Sequence, residues 1–385
     1  HPIDAIFETV SGFTTTGASI LSDVEALSHC MLIWRSFTHW IGGMGVLVFI
    51  LCLLPLTGGY HMNLMKAESP GPSVSKLVPK VQSTAKILYT IYIILTIVEI
   101  IFLLIGKMPL FDTLCLSFGT AGTGGFGIKN DSIASYSTYN QVVITVFMIL
   151  FGINFNAYYL LLTKKVMQAA KNEEVRYYLG IIGLAIVAIA INTREMFTSF
   201  GRAFQQAAFQ VGSIITTTGY ATTDFNVWPV FSKTILVILM FVGACAGSTG
   251  GGIKVSRLLI LCKSARKELQ LYLHPNAVKK IKMDDKAIPH EVVRATNMFL
   301  FVYIMIFVTS LLIISLDNLD MISNFTAIAA TLNNIGPGLG AVGPTGNFNT
   351  YSYISKAVMI FDMLAGRLEV FPLLLLFKRD TWRKF

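Results

Sequence analysis

Four short runs of this chain carry the residue types that could strip water from a cation. They read Thr14-Thr15-Thr16-Gly17, Gly122-Thr123-Gly124-Gly125, Thr216-Thr217-Thr218-Gly219 and Asn333-Asn334-Ile335-Gly336. A dehydrating cation needs several oxygens at fixed distance in place of its water shell, and backbone carbonyls can supply them. Glycine, lacking a Cβ, lets the backbone take the conformations that aim carbonyls at one point. Thr15, Thr123, Thr217 and the amide of Asn334 add side-chain oxygens two residues before each glycine. One such turn says little, since Thr and Gly are common in loops. Four of them, with glycines 108, 94 and 117 residues apart, make a loose fourfold array of the whole chain. Arranged around one axis they form a ring of oxygens, the signature of a cation-selective pore.

Something must hold the turns in place. Thirteen residues before the glycines stand Asp4, Asp112, Gln206 and Ser323, polar residues at which short helices are expected to begin, two of them good N-caps. Apolar segments such as Ala5–Val10 and Thr113–Phe118 follow them. These helices are too short to cross a bilayer and must be re-entrant, with turns that are non-helical backbone at membrane depth. Their C-terminal ends, each with about half a negative charge, would face the cavity and favour a cation. Apolar residues make up 54% of the chain and charged ones 13%, with mean hydropathy +0.64, far from soluble norms. Candidate spans fall near Met31–Leu54, Ile87–Ile105, Val142–Leu162, Tyr177–Ile191, Val227–Ala244, Met298–Leu316 and Ser355–Phe377. The expected fold is an all-α integral membrane protein of four pseudo-symmetric span–pore-helix–span repeats around a central pore. The repeats cover 1–60, 84–170, 175–273 and 290–385 within one membrane domain. The first turn lacks the apolar span that precedes the others, so one or more N-terminal spans are expected upstream of His1.

Charge sets the orientation. Lysine and arginine cluster at 66–86, 164–176, 254–294 and 378–385. These are alternate connections, which the positive-inside rule places in the cytoplasm along with the C-terminus. The other connections carry the four turns and acids such as Asp23, Glu25, Asp131, Asp224, Asp317 and Asp320, so every turn approaches from the outer face. The net charge of +9 is thus cytoplasmic-loop charge and calls for no nucleic acid. Five cysteines (30, 52, 115, 245, 262) form no CxxC pair and imply neither disulfide framework nor zinc site. Trp34, Trp40 and Trp228 fit aromatic-belt positions. His29, His39 and His61 lack metal spacing and suit interfacial packing.

Five of the ten residues 243–252 are glycine, in Gly243-Ala-Cys-Ala-Gly247-Ser248-Thr249-Gly250-Gly251-Gly252-Ile253-Lys254. Each costs about 1 kcal/mol against alanine in a helix, so the run breaks what would otherwise be one span. The apolar stretches Ile235–Val242 and Leu258–Leu261 read as its two halves. A simple connection at the cytoplasmic surface is the plainer alternative. Gly247-x4-Gly252 imitates a phosphate-binding loop, but Ile253 stands where the lysine belongs, so nucleotide binding there is rejected. Arg367, inside the last span, would cost at least ~2.5–3.5 kcal/mol facing lipid and needs a cavity or a partner, Glu369 being one candidate.

The four turns resemble the filter signature T-V-G-Y of potassium channels: Thr15-Thr16-Gly17-Ala18, Thr123-Gly124-Gly125-Phe126, Thr217-Thr218-Gly219-Tyr220 and Asn334-Ile335-Gly336-Pro337. End to end, the chain resembles the Trk/Ktr/HKT superfamily of potassium transporters, and "LHPNAV" at 273–278 resembles its Trk branch. The resemblance implies a channel tetramer fused into one chain, with K⁺ as the transported ion and no covalently bound cofactor. Two places beyond the filter glycines stand Ser19, Gly127, Ala221 and Gly338, which implies a looser filter than a true channel's. All four filter glycines are present, whereas sodium-preferring plant relatives carry Ser in the first, so K⁺ is favoured over Na⁺. The resemblance further implies that the glycine-rich loop (Gly243, Gly247, Ser248, Thr249, Gly250, Gly251, Gly252, Lys254) gates the pore. Arg367 would form a positive barrier beside it. A homodimer in the bacterial inner membrane, docked to a cytoplasmic ring of nucleotide-binding RCK-type subunits, is implied as well.

No carboxylate pair or nucleophile–base set stands out, so no enzyme is expected. The competing function is a symporter driven by H⁺ or Na⁺, for which Glu99 and Asp362 are the intramembrane acids available.

Overall fold

The computed structural model describes residues 1–45, 81–276, 279–368, 370–375 and 378. The end of the expected first span, Cys52, His61, Ala277–Val278, Glu369 and the end of the last span lie outside these residues. In chain order the helices are α1 (Pro2–Phe13), α2 (His29–Met44), α3 (Val81–Ile105), α4 (Leu110–Gly122), α5 (Thr138–Phe151), α6 (Phe155–Leu162), α7 (Val166–Ala170) and α8 (Glu173–Asn192). There follow α9 (Phe200–Ile215), α10 (Val230–Val242), α11 (Val255–Leu273), α12 (His290–Ile314), α13 (Met321–Leu332), α14 (Tyr353–Arg367) and α15 (Val370–Leu375). The described strands are β1 (Lys282–Met283) and β2 (Lys286–Ala287), a two-residue antiparallel pair before α12.

Three of these helices are long and apolar enough to span a membrane: Thr84–Ile105 in α3, α8, and α12 extended by one 3₁₀ turn to Asp317. Apolar side chains that a soluble protein would bury point outward from them, among them Ile97 and Ile101 on α3 and Phe301, Met305 and Leu312 on α12. Lipid is the medium that accepts such faces. The expected span 142–162 departs from this. It is two helices, α5 and α6, meeting at 90°. The bend falls at Gly152–Asn154, where the Asn154 side chain caps α6 by accepting from the Asn156 N–H at 2.9 Å. A cap is a stronger local instruction than an unbroken hydropathy profile.

Four helices, α1, α4, α9 and α13, end in the four turns. Their starts differ from the sequence expectation. Asp4, Asp112 and Ser323 lie in the first helical turn rather than at the N-cap, and Gln206 is well inside α9. The capping side chains are His1, Ser199 and Asp320, while α4 starts after Pro109, whose ring has no acceptor to cap it. Asp4 and Asp112 still favour the positive helix end from the first turn.

Water-driven burial does not hold helices together within lipid, so close approach and polar contacts matter more. Small residues provide the approach. A Cβ on Gly122 of α4 would strike the His39 carbonyl of α2, and one on Gly42 of α2 would strike the Phe13 carbonyl of α1. The other main contacts pair α1 with α14, α8 with α9 and α13 with α14. Trp228 is buried beside Phe225 and so is no lipid-facing belt residue; Trp34 is half exposed.

Candidate ion site and the loop beneath it

Each of the four turns is closed by the same two backbone hydrogen bonds. The residue before the glycine donates to the carbonyl five residues back: Thr16 to Ser11 (2.9 Å), Gly124 to Gly119 (2.9 Å), Thr218 to Ser213 (2.8 Å) and Ile335 to Ala330 (2.8 Å). The residue before that donates three back: Thr15 to Gly12, Thr123 to Thr120, Thr217 to Ile214 and Asn334 to Thr331. This is the Schellman ending of a helix, whose left-handed residue is usually glycine. Here it is Thr15, Thr123, Thr217 and Asn334, at φ of 55, 53, 60 and 54°. A β-branched residue there is a backbone outlier that costs on the order of 1–3 kcal/mol. Glycine would relieve that strain, so the side chain itself is what these positions keep. The glycines two residues on are also left-handed, Gly17 at 75°, Gly125 at 77°, Gly219 at 85° and Gly336 at 96°.

The turns interlock in a closed cycle. A Cβ added to Gly17 would strike the carbonyl oxygen of Gly124. One on Gly125 would meet that of Thr218, and one on Gly219 that of Ile335. One on Gly336 would come within 2.8 Å of the Thr16 oxygen and close the circuit. The carbonyls of Thr16, Gly124, Thr218 and Ile335 thus form one layer, each against the glycine of the neighbouring turn. Above them opens a cavity of about 240 Å³ lined by all four glycines and by Ser19, Asn130 and Pro337. Its rim is tied by Asp23, which accepts from the Asn130 amide at 2.9 Å. That bond and the Glu25 N–H, working against some burial, hold the Asp23 carboxyl below its ordinary range.

The four side-chain oxygens are not equivalent. Thr15 Oγ1 and Asn334 Oδ1 are buried without a hydrogen-bond partner. Thr123 Oγ1 turns back on the Gly122 carbonyl at 2.7 Å, and Thr217 Oγ1 accepts the Gly251 N–H at 2.6 Å. Asn334 also donates to Thr16 Oγ1 and to the Met363 carbonyl, both at 2.9 Å, joining the fourth turn to the first.

The contact from Gly251 comes from the glycine-rich loop, which runs between α10 and α11 directly beneath the turns. Gly243, Gly247 and Gly252 are left-handed, and so is Lys254 at φ 80°. A Cβ on Gly251 would meet the Asn333 carbonyl at 2.6 Å, and one on Gly250 the Thr216 carbonyl at 2.9 Å. Ser248 and Lys254 bond within the loop, to the carbonyls of Cys245 and Gly250. Outside groups hold it at points. Thr249 Oγ1 donates to the Phe151 carbonyl at 3.2 Å, and Gly247 O accepts from Phe155 at 3.0 Å. Glu174, at the start of α8, accepts the N–H of Ala246 (2.6 Å) and of Ser256 (3.1 Å). Arg367 donates from Nη1 to the Thr249 carbonyl (2.7 Å) and from Nη2 to the carbonyls of Gly42 and Gly43 at the end of α2. It is a buried bridge between loop and helix.

The sequence reading brought these turns, the loop and Arg367 together but missed their supports. Arg35 pairs with Glu8 at 2.6 Å, Lys356 pairs with Asp4 at 2.6 Å, and His39 is wholly buried against the second turn. His39 therefore departs from the interfacial role expected of it, while His29 stacks on Phe111. Arg35 could have been found by the argument applied to Arg367, a charge inside an apolar helix. Glu174 gave no such signal. Among the described residues, no cluster of His, Cys, Asp or Glu could hold a metal ion.

Four helices that end in a closed cycle of backbone turns, within a frame of lipid-facing helices, define a polytopic membrane protein. The sequence model of the TrkH family, described as cation transport protein, matches residues 1–383. The chain is 38% identical to the Trk system potassium uptake protein TrkH of Escherichia coli K12, over 99% of its own length and 80% of that protein. It is 39% identical to the protein of that name from Vibrio parahaemolyticus, over 99% and 79%. The crystal structure of the potassium transporter TrkH from Vibrio parahaemolyticus superposes with a TM-score of 0.88 at 35% identity, covering all of this chain and 80% of that one. The chain belongs to the TrkH family of cation transport proteins, a family of transporters rather than enzymes.

Proposed function

We propose that this chain carries K⁺ across the bacterial inner membrane through the ring formed by its four turns. The observation that carries this reading is the closed glycine-to-carbonyl cycle from Gly17 to Gly336. A ring of carbonyls replaces a hydration shell only if every turn contributes and none can drift. The unpartnered oxygens of Thr15 and Asn334 offer further cation ligands at its inner end. Relatives at 38–39% identity named for potassium uptake support the choice of ion. The filter is then Thr15–Gly17, Thr123–Gly125, Thr217–Gly219 and Asn334–Gly336, one from each of four repeats.

The loop 243–254 is the gate in this reading. It lies across the inner end of the ring and has few side chains to clear. Arg367 and Glu174 hold it closed from two sides. Control by a cytoplasmic ring of RCK-type nucleotide-binding subunits, assembly as a homodimer and a cytoplasmic C-terminus come from the superfamily resemblance. In such an arrangement α11, which continues the loop, is the natural lever.

One observation favours coupling to H⁺ or Na⁺ instead. Glu99 is fully buried in α3, with the Thr120 side chain as its polar neighbour and no ion pair among the described residues. An unpaired intramembrane acid is the usual mark of a proton or cation relay. The full-length protein in sealed liposomes separates the two. Uptake of radiolabelled Rb⁺ driven by membrane potential alone, indifferent to imposed pH and Na⁺ gradients, is expected of a gated pore. Uptake that demands either gradient makes the protein a symporter, and no Rb⁺ flux even with the loop deleted refutes the K⁺ reading.

A further inference from the structure

The ring's braces are unequal. At the first turn, Glu8 of α1 accepts Ser19 Oγ at 3.0 Å and the Ile20 N–H at 3.2 Å, tying down the strand that leaves the turn. At the third, the residue in the same place relative to the glycine is neutral: Gln210 reaches Thr222 at 3.3 Å, and Thr222 donates to Gln206. Of these two braces the first carries a charge, and its counter-charge comes from Arg35 on α2. A buried ion pair is often no more stabilising than apolar residues in its place, so stability alone is a weak reason for it.

The geometry of α2 gives a stronger one. Arg35 Nε and Nη2 both fall on Glu8 Oε1, at 3.0 and 2.6 Å, which fixes the plane of the guanidinium. Its central carbon, Cζ, lies 4.0 Å from the centre of the Phe126 ring. One helical turn on, the His39 ring centre is 4.2 Å from that of Phe126. His39 Nε2 accepts the Phe126 N–H at 3.3 Å, which leaves Nδ1 to donate to the Gly12 carbonyl at 2.8 Å. Phe126 directly follows Gly125, the filter glycine of the second turn. Gly124, just before it, must lack a Cβ because the His39 imidazole occupies that space.

We propose that Arg35 and His39 form a clamp on Phe126 that sets the position of the second turn relative to the first, and thereby the ring's preference for K⁺ over Na⁺. Both are positioning residues; neither touches the ion. The clamp rests on the filter reading above. Each arm is anchored in the first repeat, Arg35 through Glu8 and His39 through Gly12, and each grips the second. The two ions differ in radius by a few tenths of an ångström. A side chain that shifts one turn by as much therefore changes the choice of ion before it changes the rate of passage. Lysine cannot replace Arg35, since an ammonium has no flat fork to span Glu8 while lying over a ring. Glutamine can replace His39, because one amide both accepts and donates.

The test compares uptake of radiolabelled Rb⁺ and Na⁺ at equal membrane potential in liposomes of the full-length protein. In His39→Leu and Arg35→Lys the Rb⁺/Na⁺ ratio should fall by about tenfold, as expected when a buried hydrogen bond favouring one of two states is lost. Total cation flux should persist, and His39→Gln should keep the wild-type ratio. Phe126→Leu removes only the gripped ring, disturbs no hydrogen bond, and should lose selectivity to the same degree. It reads the clamp even where an Arg35 variant fails to fold. Wild-type ratios in both His39→Leu and Phe126→Leu overturn the clamp and leave the filter reading standing. Wild-type protein that passes no Rb⁺ overturns both.

Discussion

The ring of turns and the loop beneath it are both rich in glycine, and both lie in the middle of the protein, but they are held in opposite ways. In the ring, each glycine is packed against the backbone of the next turn, so a movement of one turn must displace all four. The loop touches the ring at its upper side and is otherwise fastened at separate points: by the Glu174 and Arg367 side chains, and by Cys245, Gly247 and Thr249 bonded to the backbone of the 151–155 bend. Close-packed backbone gives a state that does not adjust. Point fastening gives a state that can be released by moving one partner. In the proposed reading the same residue type serves selection above and switching below, and its neighbours decide which.

The sharpest break in that contrast is Gly219→Ala. The residue sits at φ 85°, and its new methyl would strike the Ile335 carbonyl and lie 2.8 Å from Pro337 Cδ. Backbone strain alone costs on the order of 1–3 kcal/mol, and the clash has no flexible side chain to absorb it. Rb⁺ uptake in liposomes should fall to background. The loop should respond the other way. Arg367→Gln removes the buried charge and shortens the bridge from Thr249 to Gly42 and Gly43, bonds to a charged donor worth ~1.5–3 kcal/mol each. Unstimulated Rb⁺ uptake should rise several-fold. A fall to background in this variant would mean that Arg367 supports the ring rather than closes the loop. Glu174→Gln is milder, since both N–H groups fall on one carboxylate oxygen, Oε1, which an amide oxygen can replace, while the charge that strengthens both bonds and the acceptor for the Asn154 amide at Oε2 are lost. Hydrogen exchange should quicken at Ala246 and Ser256 with a smaller rise in uptake.

How much of this could be read in the sequence follows the same division. The ring was legible because its requirement is local. Each turn needs a glycine at one place and an oxygen-bearing residue two places before, and spacing along the chain reveals the fourfold recurrence. The broken helix at 243–254 was legible for a similar reason, since five glycines cannot continue a helix. What could not be read is whatever crosses between repeats. Nothing in the order of residues says that Glu174 reaches Ala246, or that His39 occupies the space a Gly124 side chain would need. The right-angle bend at 152–154 was hidden by an apolar profile that runs straight through it. Hydropathy reports the medium around a segment and is blind to a cap within it.

The smallest expected effect tests the frame that holds both regions. Gly180 and Gly183 sit on the exposed side of α8, and a Cβ at either meets nothing within 4 Å. Neither glycine is left-handed, so alanine fits the backbone at both. The exchange should stabilise the helix by up to about 1 kcal/mol through propensity alone. It should leave Rb⁺ uptake unchanged, because both glycines lie on the exposed face of α8, whereas Glu174, which holds the loop, is buried. A thermal melt in detergent, read beside uptake in liposomes, checks both halves. A loss of stability instead would mean that another helix packs on this face, since small residues at such spacing let helices approach closely in membranes. That result would locate a helix–helix contact on α8, the helix whose first turn holds the loop.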